Sequence, residues 1–397
     1  MKGYIQKTAT FFANGLVYGL NGIFLIMPLF LSKYFNSVQT GYLLAIPPLL
    51  LCIAPLFWGG ITDKAKNQNN IMVLLLAAAA LSICALRISP KFAFVALALM
   101  FYAFFQAPFG SLIDILTIKT SEKYQMNYGI FRIMGSIGYG ALAYFITLLK
   151  NTDDFVYVYA SISILAIVSV LLMLKVYRPE SVKKEKKKVG ETVQLAKNKE
   201  LWILIVVLAC AFFTWGYYSN FFPTYITETL GLKKSIWGIV AFLAAFSELP
   251  FFVYYSKIFK RFTIREILFV SSLAMVIRWI VFATVTNAAV LIVVGFVTGL
   301  FITVITYCAT FYIVTVIAPD YVNRAQSLLY AFGTGVPKML AGCIGGYMTY
   351  YLSEPVSFVI CAIISMIGLI LPMICKNTAY SIDEKISLAR FGKLNQE

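Results

Sequence analysis

Long apolar runs separated by short polar segments dominate the chain. An α-helix needs about 20 mostly apolar residues to cross the roughly 30 Å hydrocarbon core of a bilayer. Twelve runs are suited to this, and we number them spans 1 to 12: residues 9–31, 40–61, 71–89, 92–117, 128–149, 155–175, 201–223, 235–256, 267–286, 288–318, 328–351 and 355–375. The tenth run exceeds one crossing but is too short for two. The pattern therefore predicts an all-α membrane protein with twelve transmembrane helices.

A charged stretch divides the twelve spans into two sets of six. Residues 177–200 contain the run KKEKKK and lie between spans 6 and 7. This predicts an N-terminal bundle over residues 1–176, a cytoplasmic basic linker, a C-terminal bundle over 201–376 and a cytoplasmic tail over 377–397. Halves with equal numbers of spans indicate an internal repeat. The linker is either a solvated connector or a binding site for lipid headgroups.

The positions of the basic residues predict how the chain is oriented. With both termini in the cytoplasm, 24 of the 33 lysines and arginines fall in cytoplasmic segments, six in external loops and three inside spans. Such a bias follows the positive-inside rule. The formal net charge of +16 therefore belongs to a face that meets anionic lipid headgroups, and nucleic-acid binding is not expected.

The amino-acid composition limits the kinds of chemistry that we expect of the protein. Hydrophobic residues make up 60% of the chain and charged residues 13%, against about 25% charged residues in soluble proteins. The sequence contains no histidine, and its seven cysteines lie in apolar segments without paired spacing, which indicates reduced core residues. We expect no cofactor, no metal and no catalytic residue, and therefore no enzyme.

A short motif follows span 2. Residues 59–64 read GGITDK and match the pattern G-x-x-x-D-[RK]. Glycine lets neighbouring helices approach closely, and an aspartate can cap an adjacent helix terminus. The motif resembles the loop between the second and third helices of the major facilitator superfamily. The resemblance covers the whole chain and implies two six-helix bundles that rock around a central cavity, with Gly59, Asp63 and Lys64 stabilising one closed state.

Asp114 and Arg132 are ionisable residues inside predicted spans, where a charge costs about 2.5–3.5 kcal/mol. They lie on spans 4 and 5, which a short loop joins, and at similar depth. An ion pair between them is therefore geometrically easy, and it is either functional or structural. Tyr139 lies seven residues beyond Arg132 on the same helical face. It is either a stacking surface for a substrate or ordinary aromatic packing, within a glycine-rich stretch suited to close helix contact.

Glu248 and Arg278 lie deeper, on spans 8 and 9, which also form a hairpin. The proton affinity of a carboxyl group in this setting depends on how close the arginine is. Glu248 can thus change its protonation as the bundles rock, unless the two residues form a permanent structural bridge.

Lys338 lies near the middle of span 11, beside Pro337 and among glycines. Three readings stay open: it reaches Glu248 or Asp114, it contacts an anionic group of a substrate, or it extends its side chain toward the membrane surface.

A narrower resemblance rests on residues 128–139, which read YGIFRIMGSIGY. The stretch resembles the fifth helix of lactose permease and of its relatives, the nucleoside:proton and phenylpropionate-type symporters. The roles that the resemblance implies are substrate binding by Arg132, Asp114, Tyr139, Asn220, Glu248 and Lys338, and proton coupling by Glu248, Arg278 and Asp114. Lactose permease uses a His and a Glu on its tenth helix, which span 10 lacks. Its seventh-helix aspartates are also missing, and Trp215 stands in their place.

We therefore expect a secondary active transporter, a proton-coupled symporter of a small polar organic solute such as a sugar, oligosaccharide or nucleoside, which works by alternating access. The alternative is uptake or efflux of an organic anion or drug, with Lys338 as the contact for the anion. The expected partners are the solute, protons and anionic headgroups of the bilayer. We expect a monomer, located as a multi-pass protein in a bacterial cytoplasmic membrane.

Overall fold

The computed structural model describes residues 2–65, 67–175, 198–248, 250, 251, 254, 258, 261–317 and 321–374. All regular secondary structure in these ranges is helical, which confirms the all-α prediction. Numbered in chain order, the helices are α1 (Lys2–Ile23), α2 (Met27–Leu31), α3 (Ser37–Lys64), α4 (Gln68–Ala85), α5 (Phe92–Gln106), α6 (Phe109–Tyr124), α7 (Tyr128–Thr147), α8 (Phe155–Leu172), α9 (Lys199–Thr224), α10 (Ser235–Ser247), α11 (Ile264–Thr284), α12 (Ala288–Val316), α13 (Val322–Tyr330), α14 (Val336–Tyr351) and α15 (Glu354–Ile374).

Eleven helical segments in the described ranges are long and apolar enough to cross a membrane. The shorter apolar helix α10 lies at the position predicted for span 8. The long tenth run forms one unbroken helix of 29 residues, α12, as predicted. The count of twelve spans and the cytoplasmic location of both termini stay predictions. Most of the predicted linker and the whole predicted tail lie outside the described residues.

The chain forms two compact units. The first comprises residues 1–183 and 219–246, and the second comprises residues 184–218 and 247–397. Within the first unit, α10 packs against the N-terminal helices: the indole nitrogen of Trp237 donates a hydrogen bond to the carbonyl oxygen of Leu25 at 3.3 Å. The predicted boundaries of the two six-helix bundles stay a prediction.

Glycines set the packing of α1 on α7 in the first unit. A Cβ atom on Gly138 of α7 would lie 2.7 Å from the Cα atom of Gly15 in α1, and one on Gly135 would lie 2.6 Å from Cδ2 of Tyr18. Real Cβ atoms do not approach other atoms this closely, so the two helices can pack at this distance only because these positions lack a side chain. The close helix contact predicted for the glycine-rich stretch of span 5 is therefore confirmed.

A polar seam runs along the contact between α1 and α6. On α1 its members recur every four residues, which places them on one face of the helix. From the start of α1, the pairs are Gln6 with Tyr124, Thr10 with Thr120, Asn14 with Thr117, and Tyr18 with Asp114. Because a buried polar group costs free energy unless it is hydrogen-bonded, these pairs fix the register of α1 against α6.

Three loops that the charge pattern places outside the membrane meet at Asp153. Lys33 Nζ lies 2.9 Å from its carboxylate and Arg87 lies 3.8 Å from it, while the Tyr34 hydroxyl donates a hydrogen bond to it at 3.1 Å. Burial raises the pKa of Tyr34, and the hydrogen bond to Asp153 raises it further. The loops occupy one end of the unit, as successive antiparallel spans require.

In the second unit, α9 packs closely on α14. A Cβ atom on Gly216 would lie 2.8 Å from the Cβ atom of Ala341 and 3.2 Å from the Cα atom of Lys338. This glycine therefore allows the backbone of α9 to approach the part of α14 that carries Lys338.

The GGITDK segment forms the last turns of α3 instead of a loop. No atom of another helix in the described ranges lies within 4 Å of the position that a Cβ on Gly59 would take. The described residues show no close helix contact at Gly59, and its part in a closed state stays a prediction. The backbone of Asp63 and Lys64 belongs to α3, but their side chains lie outside the described part of the chain. Their contribution to a closed state stays a prediction.

Candidate functional site

Asp114 lies on α6, half-buried, and two tyrosines hold it. The hydroxyl of Tyr18 and the hydroxyl of Tyr128 each donate a hydrogen bond to Oδ1 of Asp114, both at 2.9 Å. Hydrogen bonds to a carboxylate are stronger than those between neutral groups. The two tyrosines therefore fix the position of this carboxylate oxygen inside a largely apolar unit.

Arg132 does not form the predicted ion pair with Asp114. Its guanidinium carbon lies 4.1 Å from the centre of the Tyr18 ring, on which the guanidinium stacks. Within the described residues no carboxylate oxygen comes within 4.0 Å of Arg132. The prediction of a direct pair is wrong because it considered only α6 and α7, whereas Tyr18 from α1 contacts both side chains.

Tyr139 lies on the same helix as Arg132, and α7 is continuous from Tyr128 to Thr147. At 1.5 Å per residue the two side chains are roughly 10 Å apart along one face. Tyr139 is half-buried. The structure thus keeps the spacing on which the resemblance relied, and the stacking of a substrate on Tyr139 stays a prediction.

Lys338 lies between two aromatic rings of α9. Its ammonium nitrogen is 4.4 Å from the centre of the Trp215 ring and 4.8 Å from that of Phe212. Such contacts attract a cation through the negative face of the ring, by about 0.5–2 kcal/mol each depending on solvation. The rings hold the ammonium group at a defined place. Trp215, which the sequence placed on the seventh span, therefore lies beside Lys338.

Asn220 lies on α9, and Glu248 lies at the end of α10. Asn220 is half-buried in α9, five residues beyond Trp215, and its side chain forms no hydrogen bond with another described residue. Glu248 directly follows the last residue of α10 and is also half-buried. Their roles in substrate binding and proton coupling stay predictions.

Arg278 lies on α11 and is only 4% exposed. Its guanidinium carbon is 4.4 Å from the centre of the Trp279 ring, 5.2 Å from Tyr218 and 5.8 Å from Phe282. All three guanidinium nitrogens are buried without a hydrogen-bond partner among the described residues. The permanent bridge between Glu248 and Arg278, which the sequence left open as an alternative, is therefore not formed, because the arginine side chain points into an aromatic cluster.

These groups suit reversible binding better than bond chemistry. Asp114 offers a carboxylate oxygen, Arg132 offers guanidinium donors, and Lys338 offers an ammonium group flanked by ring faces. Among the described residues, no group of three or more His, Cys, Asp or Glu side chains could hold a metal ion. Within the first unit, Asp114 and Arg132 can bind hydroxyl groups of a solute, and within the second unit Lys338 and its rings can bind a carboxylate or an aromatic group.

A family model described as MFS_1 like family matches residues 16–360 of the chain. The chain belongs to this family. It is a membrane transporter of the major facilitator superfamily and not an enzyme.

Sequence relatives and solved structures of this superfamily cover most of the chain. The maltose permease of Geobacillus stearothermophilus is 22% identical over 387 residues, which are 94% of each protein. The probable 3-phenylpropionic acid transporter of Escherichia coli strain K12 is 23% identical over 78% of this chain and 80% of the relative. The crystal structure of the nucleoside transporter NupG superimposes with a TM-score of 0.78 at 16% identity, covering 96% of this chain and 98% of that one. The last comparison shows the major facilitator fold.

Sequence reasoning missed two aromatic members of this transporter's candidate site, Tyr18 and Tyr128. Hydropathy alone treats a tyrosine as part of a span. The recurrence of polar side chains every four residues from Gln6 to Tyr18 was a usable signal, since it predicts a polar face on the first helix. Tyr128 begins α7, and nothing in the sequence indicates that its hydroxyl reaches Asp114 on the preceding helix.

Proposed function

We propose that this transporter is a proton-coupled symporter that imports a small neutral polar solute, such as a sugar, an oligosaccharide or a nucleoside. The observation that carries the proposal is the group formed by Asp114, Tyr18 and Arg132, which offers an acceptor and several donors in a unit that is otherwise largely apolar. Hydroxyl groups of a solute both donate and accept hydrogen bonds, so they complement such a group. The names of the maltose permease and the nucleoside transporter support the same substrate class.

Glu248 is the proposed proton carrier. It is a half-buried acid at the end of an apolar helix, and a carboxyl group there can exchange a proton when its surroundings change. We further propose twelve spans in two six-helix bundles, cytoplasmic termini, a monomeric state and location in a bacterial cytoplasmic membrane whose anionic headgroups meet the basic linker. The basic bias of the predicted cytoplasmic segments supports this orientation.

The solute class can be tested by ligand-dependent melting of the purified full chain in detergent. Maltose, uridine and 3-phenylpropionate serve as probes, each at pH 6 and pH 8. A solute that binds the folded state raises the melting temperature. We expect stabilisation by maltose or uridine that weakens at pH 8, since proton binding and solute binding are linked in a symporter. Stabilisation by neither neutral solute would contradict the proposed substrate class, and equal stabilisation at both pH values would contradict the linkage.

The variant Glu248→Gln separates proton coupling from solute binding. In vesicles with an imposed pH gradient, we expect the variant to lose uphill accumulation of the stabilising solute and to retain exchange of that solute across the membrane. The reason is that glutamine keeps a polar side chain of similar size but carries no exchangeable proton. Glu228→Gln is the matched control, because Glu228 is an exposed acid, and it should behave as the unmodified protein. Equal loss of accumulation and exchange would show that Glu248 binds solute or supports the fold.

A second candidate function is transport of an aromatic organic anion. Lys338 between the rings of Trp215 and Phe212 favours it, because an ammonium group beside ring faces complements a carboxylate that is attached to an aromatic ring. The name of the probable 3-phenylpropionic acid transporter supports this class.

The variant Lys338→Ala distinguishes the two functions. For an anion transporter, we expect affinity for 3-phenylpropionate to fall about 10- to 100-fold, since a hydrogen bond to a charged group contributes about 1.5–3 kcal/mol. For a carrier of neutral solutes, the affinity for maltose or uridine should stay within about threefold. Isothermal titration of the purified protein measures both, and Lys233→Ala, at an exposed lysine, controls for a general charge effect.

A further inference from the structure

Tyr18 contacts two charged groups of the first unit, Asp114 and Arg132. Its hydroxyl donates a hydrogen bond to Oδ1 of Asp114 at 2.9 Å, and its ring carries the guanidinium of Arg132 at 4.1 Å. The three residues come from three different helices: α1, α6 and α7. One side chain therefore contacts both charges, which form no ion pair with each other.

The backbone fixes Tyr18 in this place. The ring lies over Gly135, where a Cβ atom would be only 2.6 Å from Cδ2 of Tyr18. The hydroxyl lies 3.9 Å from the position of a Cβ on Gly110. Because Gly135 has no side chain, the Tyr18 ring can pack directly on the backbone of α7. Its face then contacts Arg132, which lies three residues before Gly135 on the same helix.

Both charges keep unused hydrogen-bonding capacity. Both tyrosine hydroxyls bind Oδ1 of Asp114, and Oδ2 accepts no hydrogen bond from another described residue. The exposed Arg132 forms no hydrogen bond or ion pair within the described part of the chain. Opposite charges at contact distance attract each other even near a protein surface, although less strongly than in the interior. If the ring is removed, we expect the guanidinium to lose its contact and to pair with Asp114.

We propose that Tyr18, seated on Gly135, is a positioning residue that prevents an ion pair between Asp114 and Arg132 and so keeps both groups available to a solute. The inference rests on the proposed function for the identity of the occupant. It adds the first helix to the site and assigns the glycine at position 135 a role in ligand recognition. A ring, and not merely a hydrogen-bond donor, is required at position 18.

The experiment uses phenylglyoxal, an arginine-selective reagent, on the purified full chain, with the rate of modification at Arg132 measured by peptide mass spectrometry. Tyr18→Leu should lower that rate about tenfold, because the guanidinium then pairs with Asp114. The double variant Tyr18→Leu, Asp114→Asn should restore the rate to within about twofold of the unmodified protein. Tyr18→Phe keeps the ring and should also stay within about twofold. The matched control is Tyr128→Phe. This variant removes the second hydroxyl that binds Asp114 but leaves the Tyr18 ring in contact with Arg132.

The exposed Arg261 is the reference within each sample, and its rate should not change. Tyr18→Met replaces Tyr18→Leu if the leucine variant does not fold. An unchanged rate at Arg132 without the ring would overturn the proposal, and so would protection that persists in the double variant.

A measurement of ligand affinity tests the role of Tyr18 separately from the proposed function. Affinity for whichever of maltose or uridine stabilises the unmodified protein should fall about tenfold in Tyr18→Leu and return in Tyr18→Phe.

If neither solute stabilises the unmodified protein while the modification pattern is as expected, the proposed function fails and the role of Tyr18 stands. If a solute binds while Arg132 reacts equally in every variant, the role of Tyr18 fails and the proposed function stands.

Discussion

A Gly138→Ala variant should lose most of its folded protein. The added methyl group would lie 2.7 Å from the Cα atom of Gly15. The helices α1 and α7 would therefore have to move apart where their backbones are in close contact. The obstacle is backbone, which cannot rotate away as a side chain can. Overpacking a well-packed interior costs about 1–3 kcal/mol where side chains can adjust, and we expect a loss of about 3 kcal/mol or more here. Size-exclusion chromatography and thermal melting in detergent measure this loss.

Two neighbouring glycines are matched controls for Gly138. Gly15 lies on the opposite helix, yet a Cβ atom there would meet the carbonyl oxygen of Met134 at 3.4 Å, an ordinary contact distance. A Cβ on Gly59 would meet no other helix within 4 Å in the described ranges. Gly15→Ala should be tolerated, and Gly59→Ala should be neutral or stabilise the helix by about 0.5–1 kcal/mol. If Gly138→Ala melts like these two, the close packing of α1 on α7 is not required for folding.

An Arg278→Met variant should become more stable while uphill transport is abolished. The guanidinium is buried and its nitrogens have no hydrogen-bond partner among the described residues. Burying an ion costs several kcal/mol, and the nearby rings return about 0.5–2 kcal/mol each at the contact of 4.4 Å and less at the longer distances. Methionine fills a similar volume without a charge. We expect the free energy of unfolding to rise by about 1–3 kcal/mol, in line with apolar replacements of buried charges.

Loss of accumulation in Arg278→Met follows from the proposed proton coupling, because a charge retained at such a cost is expected to serve function. Thermal melting and uptake into vesicles measure the two effects on the same preparation. Arg261→Met is the control, since Arg261 is exposed and should change neither quantity. A lower melting temperature for Arg278→Met would show that the aromatic cluster stabilises the cation by more than its burial costs. Normal accumulation would remove Arg278 from the transport cycle.

The helices and their close contacts could be predicted from the sequence because each depends on a local requirement. A bilayer demands about 20 apolar residues per crossing, and this locates α12 as one long helix even though its run exceeds that length. Close helix packing demands small residues, and the glycines around Gly138 supply them. The depth of a residue in the membrane follows from its position along the helix in the same way. This count predicted that Asp114 and Arg132 lie near each other.

The partners of the charged side chains could not be predicted from spacing. Depth does not determine the direction in which a side chain points around its helix, and that direction depends on which helices pack there. Arg278 faces Trp279 and Phe282 instead of Glu248 for this reason. The bridge by Tyr18 depends on three helices that are distant in sequence. The aromatic neighbours of Lys338 come from α9, more than 120 residues earlier in the chain.

The π-helical segment Ala331–Gly335 directly precedes the helix that carries Lys338. A π turn accommodates one more residue than an α turn. If this segment adopted α-helical geometry, the helix that follows it would shift by one residue relative to its neighbours. At 3.6 residues per turn, such a shift turns its side chains by about 100° around the helix axis. Lys338 would then leave its place between Phe212 and Trp215.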